Sequence, residues 1–237
     1  MCCDEYQQNQ YIDEMTVEEL ELHCKNVDLI QPACDTEFLL HPNWRELLTR
    51  ISNLGVNVSF ATKLNIADDD LLFLSEINNK LMANGSILNI GVTIIKLEQH
   101  MELEPLAPTP KQRMKTLEKL HSNGIPCNVI LRPIFPTLTL DEINNLIFLT
   151  KEFSDGYLIG PLYINQSTNE YLQKHNIVVV PQTKFPMWNQ GKEMKVLYCN
   201  EIMVKIAEVA ANHDKQVFFS NRQCVDYLIH KFRRTGL

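Results

Sequence analysis

One local pattern recurs along the chain: an amphipathic helix, a turn signal, then a short run of mostly apolar residues. "HPNWRELLTRISNLG" leads into "VNVSFAT", "DDDLLFLSEINNKLMANG" into "SILNIGVTII", and "TPKQRMKTLEKLHSNG" into "IPCNVILRPI". Trp44, Leu47, Leu48 and Ile51 fall at i, i+3, i+4 and i+7, the spacing of one helix face. Thr109 with Gln112 and Thr139 with Glu142 spell capping boxes, and Pro110 suits a first helical position. Thr16 with Glu19 spells another, ahead of "VDLIQPA". Gly55, Gly85 and Gly124 stand where each helix should stop. Strands that alternate with helices and read as continuous apolar runs predict a parallel sheet covered on both faces.

After Thr139 the pattern continues less regularly. "INNLIFLTKEF" reads as a helix, "GYLIGPLYI" and "NIVVVP" as strands, and "TKFPMWNQGKEM" as a loop. "NEIMVKIAEVAANH" reads as a helix, "QVFFS" as a last strand and "CVDYLIHKF" as a short closing helix. The fold class expected is α/β, a partial (β/α) barrel, with a flat doubly wound sheet as the alternative. The 237 residues suffice for one large α/β domain or two small ones. No Gly-x-Gly-x-x-Gly or Gly-Lys-Ser/Thr loop is present, which argues against dinucleotide or nucleoside triphosphate binding.

A net charge of −7 argues against extended nucleic-acid binding, and the basic "HKFRR" reads as a solvated helix end. The seven cysteines (2, 3, 24, 34, 127, 199 and 224) are odd in number and scattered, unlike a disulfide framework. The polar N-terminus reads as no signal peptide, and no apolar run approaches a membrane span. A cytoplasmic protein with reduced thiols is the expectation. Cys34, Cys127, Cys199 and Cys224 read as small buried or idle residues, and the histidines show no metal-binding spacing.

In such barrels the chemistry sits where strands end. The predicted tips carry Cys34, Asp35, Thr36 and Glu37; Thr62 and Lys63; Thr93, with Glu98 and Glu104 in its loop; Arg132 and Pro133; and Gly160, Pro161, Tyr163 and Asn165. Lys63 suits a cofactor contact, a Schiff base as in barrel aldolases, or a salt bridge to Asp68–Asp70, itself an acidic helix start. Glu37, Glu98 and Glu104 are candidates for acid–base work, or Glu104 staples its loop to Arg113. Trp188 reads as a packing anchor or a lid.

Leu103, Glu104, Pro105, Ala107, Pro108 and Arg113, then Gly124, Ile125 and Pro126, then Pro133, Ile134, Phe135 and Pro136 carry a resemblance. This order is similar to the middle of radical S-adenosylmethionine enzymes, in the branch of spore photoproduct lyase-like proteins. "FATKLNIADDDLLFLSEI" also resembles that family's Thr-Lys strand end, acidic turn and helix, and the likeness spans about residues 27–165. It implies a TIM-type partial barrel over 15–165, a cluster-loop remnant over 1–14, and an extension over 166–237 packing on the core. It implies two cofactors, S-adenosylmethionine and a 4Fe–4S cluster on three cysteines, with reductive cleavage to a 5′-deoxyadenosyl radical and hydrogen abstraction from a substrate the sequence does not specify.

Carried over by position, the resemblance puts Asp35, Thr36 and Glu37 at the methionine amino group and Thr62 and Lys63 near its carboxylate. It puts Thr93 at the ribose, Arg132 at the carboxylate, and the backbone of Leu158, Gly160 and Leu162 beside the adenine. The sequence departs from the family at its Cys-x-x-x-Cys-x-x-Cys motif, which is missing, so Cys3 or Cys2 is the candidate surviving ligand. Three expectations follow: a fragment lacking the first strand, one half of a split enzyme, or a non-catalytic homologue that still holds a nucleoside-like ligand. A sheet without its first strand offers an edge to a partner chain. An unrelated lyase or aldolase using Lys63 is the remaining reading.

Overall fold

The structure, a computed structural model, describes residues 18–20, 22, 27–33, 36–98, 103–184 and 193–235. Expectations at Cys2, Cys3, Thr16, Cys24, Cys34, Asp35 and Trp188 lie outside the described residues. Strands β1 (Leu29–Ile30), β2 (Asn57–Thr62), β3 (Leu88–Thr93), β4 (Cys127–Leu131) and β5 (Gly156–Ile159) are joined in order by parallel pairing. Between and after them run α1 (Trp44–Asn53), α2 (Asp68–Ala83), α3 (Pro110–Ser122) and α4 (Leu140–Thr150). The chain then forms β6 (Leu162–Ile164), α5 (Gln166–Lys174), β7 (Gln182–Lys184) and β8 (Met194–Leu197), the three strands pairing antiparallel in the order β6-β8-β7. It returns through α6 (Asn200–Ala211) to β9 (Gln216–Phe218), the sixth parallel strand beside β5, and ends in α7 (Asn221–Thr235).

The helices form where their signals stand. Thr109 Oγ1 accepts from Gln112 N–H while Gln112 Oε1 accepts from Thr109 N–H, and Thr139 and Glu142 close the same reciprocal box. Gly124, at φ +68°, lets the chain leave α3 in the left-handed region. Side chains then alternate across the sheet. Phe60, Ile90, Val129 and Tyr157 join residues of α1, α2, α3, α4 and α6 in one core. Ala61, Ile130, Leu158 and Phe218 point the other way, to α7.

Strand order without reversal, and five helices on one face, is the winding of a barrel. The flat doubly wound alternative needs a reversal of strand order, which the described strands do not show. Among the described residues, the edge strands of this sheet are β1 and β9. Among the described residues, no helix is long and apolar enough to cross a membrane.

Three local readings are corrected. "GYLIGPLYI" is two strands in two sheets, β5 and β6, because Pro161 between them has no N–H to continue the ladder. "NIVVVP" is extended but unpaired: Ile177 and Val179 pack inward while Val178 and Val180 are exposed. The expected loop around it supplies β7 and the start of β8 instead.

The basic C-terminal stretch is not simply solvated. Lys231 Nζ lies 2.6 Å from Oδ1 of buried Asp155, whose Oδ2 accepts from Cys127 N–H at 3.0 Å. At the other end of α7, Arg222 pairs with Asp28 at 2.7 Å. Asp155 thus fixes β4, β5 and α7 together. Asp155→Ala is expected to lower unfolding stability by about 2–3 kcal/mol, the cost of losing charge-assisted hydrogen bonds at a buried site. Urea denaturation checks this as a lower midpoint at constant slope.

Candidate functional site

The C-terminal tips of β1 to β3 carry a chain of charges. Arg113, from the first turns of α3, is 1% exposed. Its Nε donates to Pro108 O at 2.7 Å and its Nη1 to Thr93 O at 3.0 Å. Nη1 also meets Glu104 Oε2 at 2.6 Å. The other Glu104 oxygen meets Lys63 Nζ at 2.7 Å, and Lys63 N–H donates to Glu37 Oε2 at 2.8 Å. The Thr62 hydroxyl also bonds Glu37 and accepts from Leu64 N–H at 3.0 Å. One acid stands for each base, as burial of charge requires.

Glu104 therefore does staple its loop to Arg113, but it also bridges to Lys63. The expected alternative, Lys63 against Asp68–Asp70, is not formed: Asp68 pairs with Lys119 and Asp70 with Arg45, each at 2.5 Å. The long loop after β3 brings Glu104 over the β2 tip, whereas the acidic triplet opens α2 and faces neighbouring helices. Sequence spacing favoured the nearer acid. Lys63 Nζ is committed to the Glu104 carboxylate.

The two carboxylates differ. Burial pushes Glu37 above the ordinary glutamate range, and its neighbours Lys63, Thr62 and Arg113 only partly offset that. Burial also pushes Glu104 up, but Lys63 and Arg113 outweigh it and hold Glu104 below the ordinary range. Glu37 Oε1 is buried without a hydrogen-bond partner.

On the neighbouring strands, Arg132 follows β4 and lies across Gly160, which follows β5. A Cβ at Gly160 would collide with Arg132 Nε, and that Nε is buried and without a partner. Leu158 and Leu162 face packed interiors, the first beneath α7 and the second against Ile95, Leu103 and Phe135. Thr93 is buried at the β3 tip, and Thr36 is exposed. Glu37, Thr62, Lys63 and Thr93 are thus linked through Glu104 and Arg113, while Arg132 and Gly160 form a separate pair. Sequence reasoning missed the buried Ser59, Asn89 and Asn128, on the face of the sheet toward α7. Their signal was a polar residue recurring inside otherwise apolar strands.

The described cysteines do not fit an iron–sulfur cluster. Cys127 and Cys224 are fully buried, and burial pushes both thiols up, away from the thiolate form that binds metal. Burial raises Cys199 as well. Among the described residues, no group of three or more His, Cys, Asp or Glu is arranged to hold a metal ion.

No protein-family profile matches the chain. In sequence it is 30% identical over 118 residues to the uncharacterized protein ORF301 of Acidianus two-tailed virus, a stretch covering 49% of this chain and 38% of that protein. In structure it is similar to spore photoproduct lyase complexed with dinucleoside spore photoproduct, with a TM-score of 0.61 and 11% identity, covering 85% of this chain and 64% of that one. Streptococcus suis SuiB bound to S-adenosylmethionine is also similar, with a TM-score of 0.53 and 12% identity, covering 81% of this chain and 38% of that one. The chain spans less than two-thirds of each of these proteins. At such identities the structural likeness is one of fold: an α/β partial barrel, shared with spore photoproduct lyase and SuiB.

Proposed function

We propose that the strand tips form a site for S-adenosylmethionine, and that the chain is the core of a radical S-adenosylmethionine enzyme. The observation that carries this reading is a pair of buried, unpartnered polar atoms at those tips, Glu37 Oε1 and Arg132 Nε. The methionine end of the cofactor is a zwitterion. Its ammonium needs an acceptor, which Glu37 supplies, and its carboxylate needs a donor, which Arg132 supplies. Lys63 and Glu104 stand beside Glu37, and Thr93 stands on the strand read as the ribose side. Thr36 and Asp35 complete the amino-group side on the family resemblance. Gly160 leaves the space in which Arg132 lies, and the backbone from Leu158 to Leu162 is the proposed adenine wall. The SuiB structure bound to S-adenosylmethionine lends support through its fold.

When bound to a reduced 4Fe–4S cluster, S-adenosylmethionine supplies a 5′-deoxyadenosyl radical, and the described residues offer no ligand set for that cluster. Cys2 or Cys3 of this chain, or a partner chain pairing at the β1 edge, remains the proposed source of ligands. The residues in hand bind and orient: Glu37 and Arg132 fix the two charges of the amino acid, and the Arg113–Glu104–Lys63 chain keeps the tips in place.

Binding is checked by calorimetry with S-adenosylhomocysteine, which carries the same amino-acid end. Arg132→Ala and Gly160→Ala are each expected to weaken it about tenfold or more, the second by displacing the guanidinium; equal affinity in wild type and both variants would sink the reading. Glu37 must be ionised to accept from an ammonium. Because burial raises its pKa, affinity should fall on acidification at a pH above the ordinary glutamate range. Glu37→Gln should flatten that limb and weaken binding by about tenfold, equivalent to about 1.4 kcal/mol.

A further inference from the structure

A second group of charges stands at the N-terminal ends of the parallel strands, away from the tips. Lys215 immediately precedes β9, and Asp155 immediately precedes β5. The turn from α6 into β9 reverses at Asp214, in the left-handed region at φ +56°. Lys215 N–H then donates to Ala210 O at 3.0 Å, and its Nζ donates to Ser154 O at 2.8 Å. A surface cleft of about 370 Å³ opens there, lined by Lys151, His213 and Lys215 together with Glu152 and Asp214. Lys151 Nζ, from the end of α4, lies 3.5 Å from His213 Nδ1. Glu152 and Asp214 are exposed, so water screens their charges, and Glu152 lies 3.9 Å from Lys151.

We propose that Lys215 is an acylation site, and that the cleft presents an acyl phosphate to it. Lys151 and His213 offer positive charge and N–H donors to a phosphoryl group. The bond to Ser154 O engages one N–H of the Lys215 amine, so the lone pair of the neutral amine faces away from that carbonyl. The surroundings also favour the neutral form. Burial pushes Lys215 below the ordinary lysine range and the Lys231 ammonium adds to that, together outweighing Asp155, Glu152 and Cys127. A lysine desolvated beside a second cation is one that reacts as a nucleophile.

In the step, the Lys215 nitrogen attacks the acyl carbon and an N–C bond forms. The bond from that carbon to the bridging oxygen breaks, and phosphate leaves with the electron pair and takes up the proton shed by the nitrogen. The product amide keeps an N–H for Ser154 O but carries no charge. Lys231, bonded to Asp155 at 2.6 Å, thereby loses a like-charged neighbour. The site is at the opposite ends of the strands from Glu37 and Arg132, so it stands independently of the cofactor reading.

Acetyl phosphate is the probe, applied to the full chain, with initial rates of acetylation read at each lysine by peptide mass spectrometry. Lys215 is expected to react about tenfold or more faster than the exposed Lys205. Its rate should climb with pH at lower values than that of Lys205, since the neutral amine is reached sooner. Inorganic phosphate should slow Lys215 by competing for the cleft and leave Lys205 unchanged. Lys151→Gln should slow Lys215 about tenfold while Lys151→Arg retains the rate, because only the second keeps the charge. With p-nitrophenyl acetate, an acyl donor without a phosphoryl group, the preference for Lys215 should shrink. The wild-type comparisons require no variant to fold. The proposal is overturned if Lys215 reacts no faster than Lys205, if phosphate does not compete, if the glutamine variant reacts like wild type, or if both donors show the same preference.

Discussion

A guanidinium at 1% exposure cannot be left without a counter-charge, and much of the rim follows from how Arg113 is neutralised. Glu104 must come to it, so the long loop after β3 folds back onto α3. The second oxygen of Glu104 then draws Lys63, which brings the β2 tip against the loop. The Lys63 backbone in turn fixes Glu37 after β1. Thr93 O, at the end of β3, accepts from the same guanidinium. Three strand tips, one helix start and one loop are thereby tied to a single buried cation. Removing either partner would leave the other charged in the interior, the arrangement that costs most.

The two faces of the sheet do different work. The outer face is continuous hydrocarbon from Phe60 to Tyr157, packed by helices, and it supplies the driving force for folding. The inner face mixes small, polar and apolar residues, and a single helix arriving from the C-terminal end covers it. That division puts the strength of the fold on one side. Any chemistry is left to the other side and to the rim.

Much of this was readable in the residues. The helix caps at Thr109 and Thr139 were, because both partners of a capping box lie within one turn. The parallel sheet was, because strands covered on both faces have no polar alternation. The Glu104–Arg113 staple was among the expectations, since nine residues of loop and first turn can close on themselves. The partner of Lys63 was not, because proximity in sequence pointed to Asp68–Asp70 while the loop delivered a more distant acid. The segment "NIVVVP" has the composition of a strand but no neighbour to pair with, and β-propensity without a partner makes no ladder. Lys231 looked like a dipole-complementing tail residue until Asp155, 76 positions away, proved to face it.

The sequence by itself determined what depends on neighbours along the chain: where helices begin and stop, which face of each is apolar, and therefore an α/β chain of repeated units. These signals act over one or two turns and do not depend on the rest of the molecule. Tertiary structure alone decided which charges meet, that β9 rather than a nearer segment completes the parallel sheet, and that α7 lies over the inner face. Those outcomes turn on distances through space, and on the cost of burying a charge or an amide, which no residue carries until the strands have placed it.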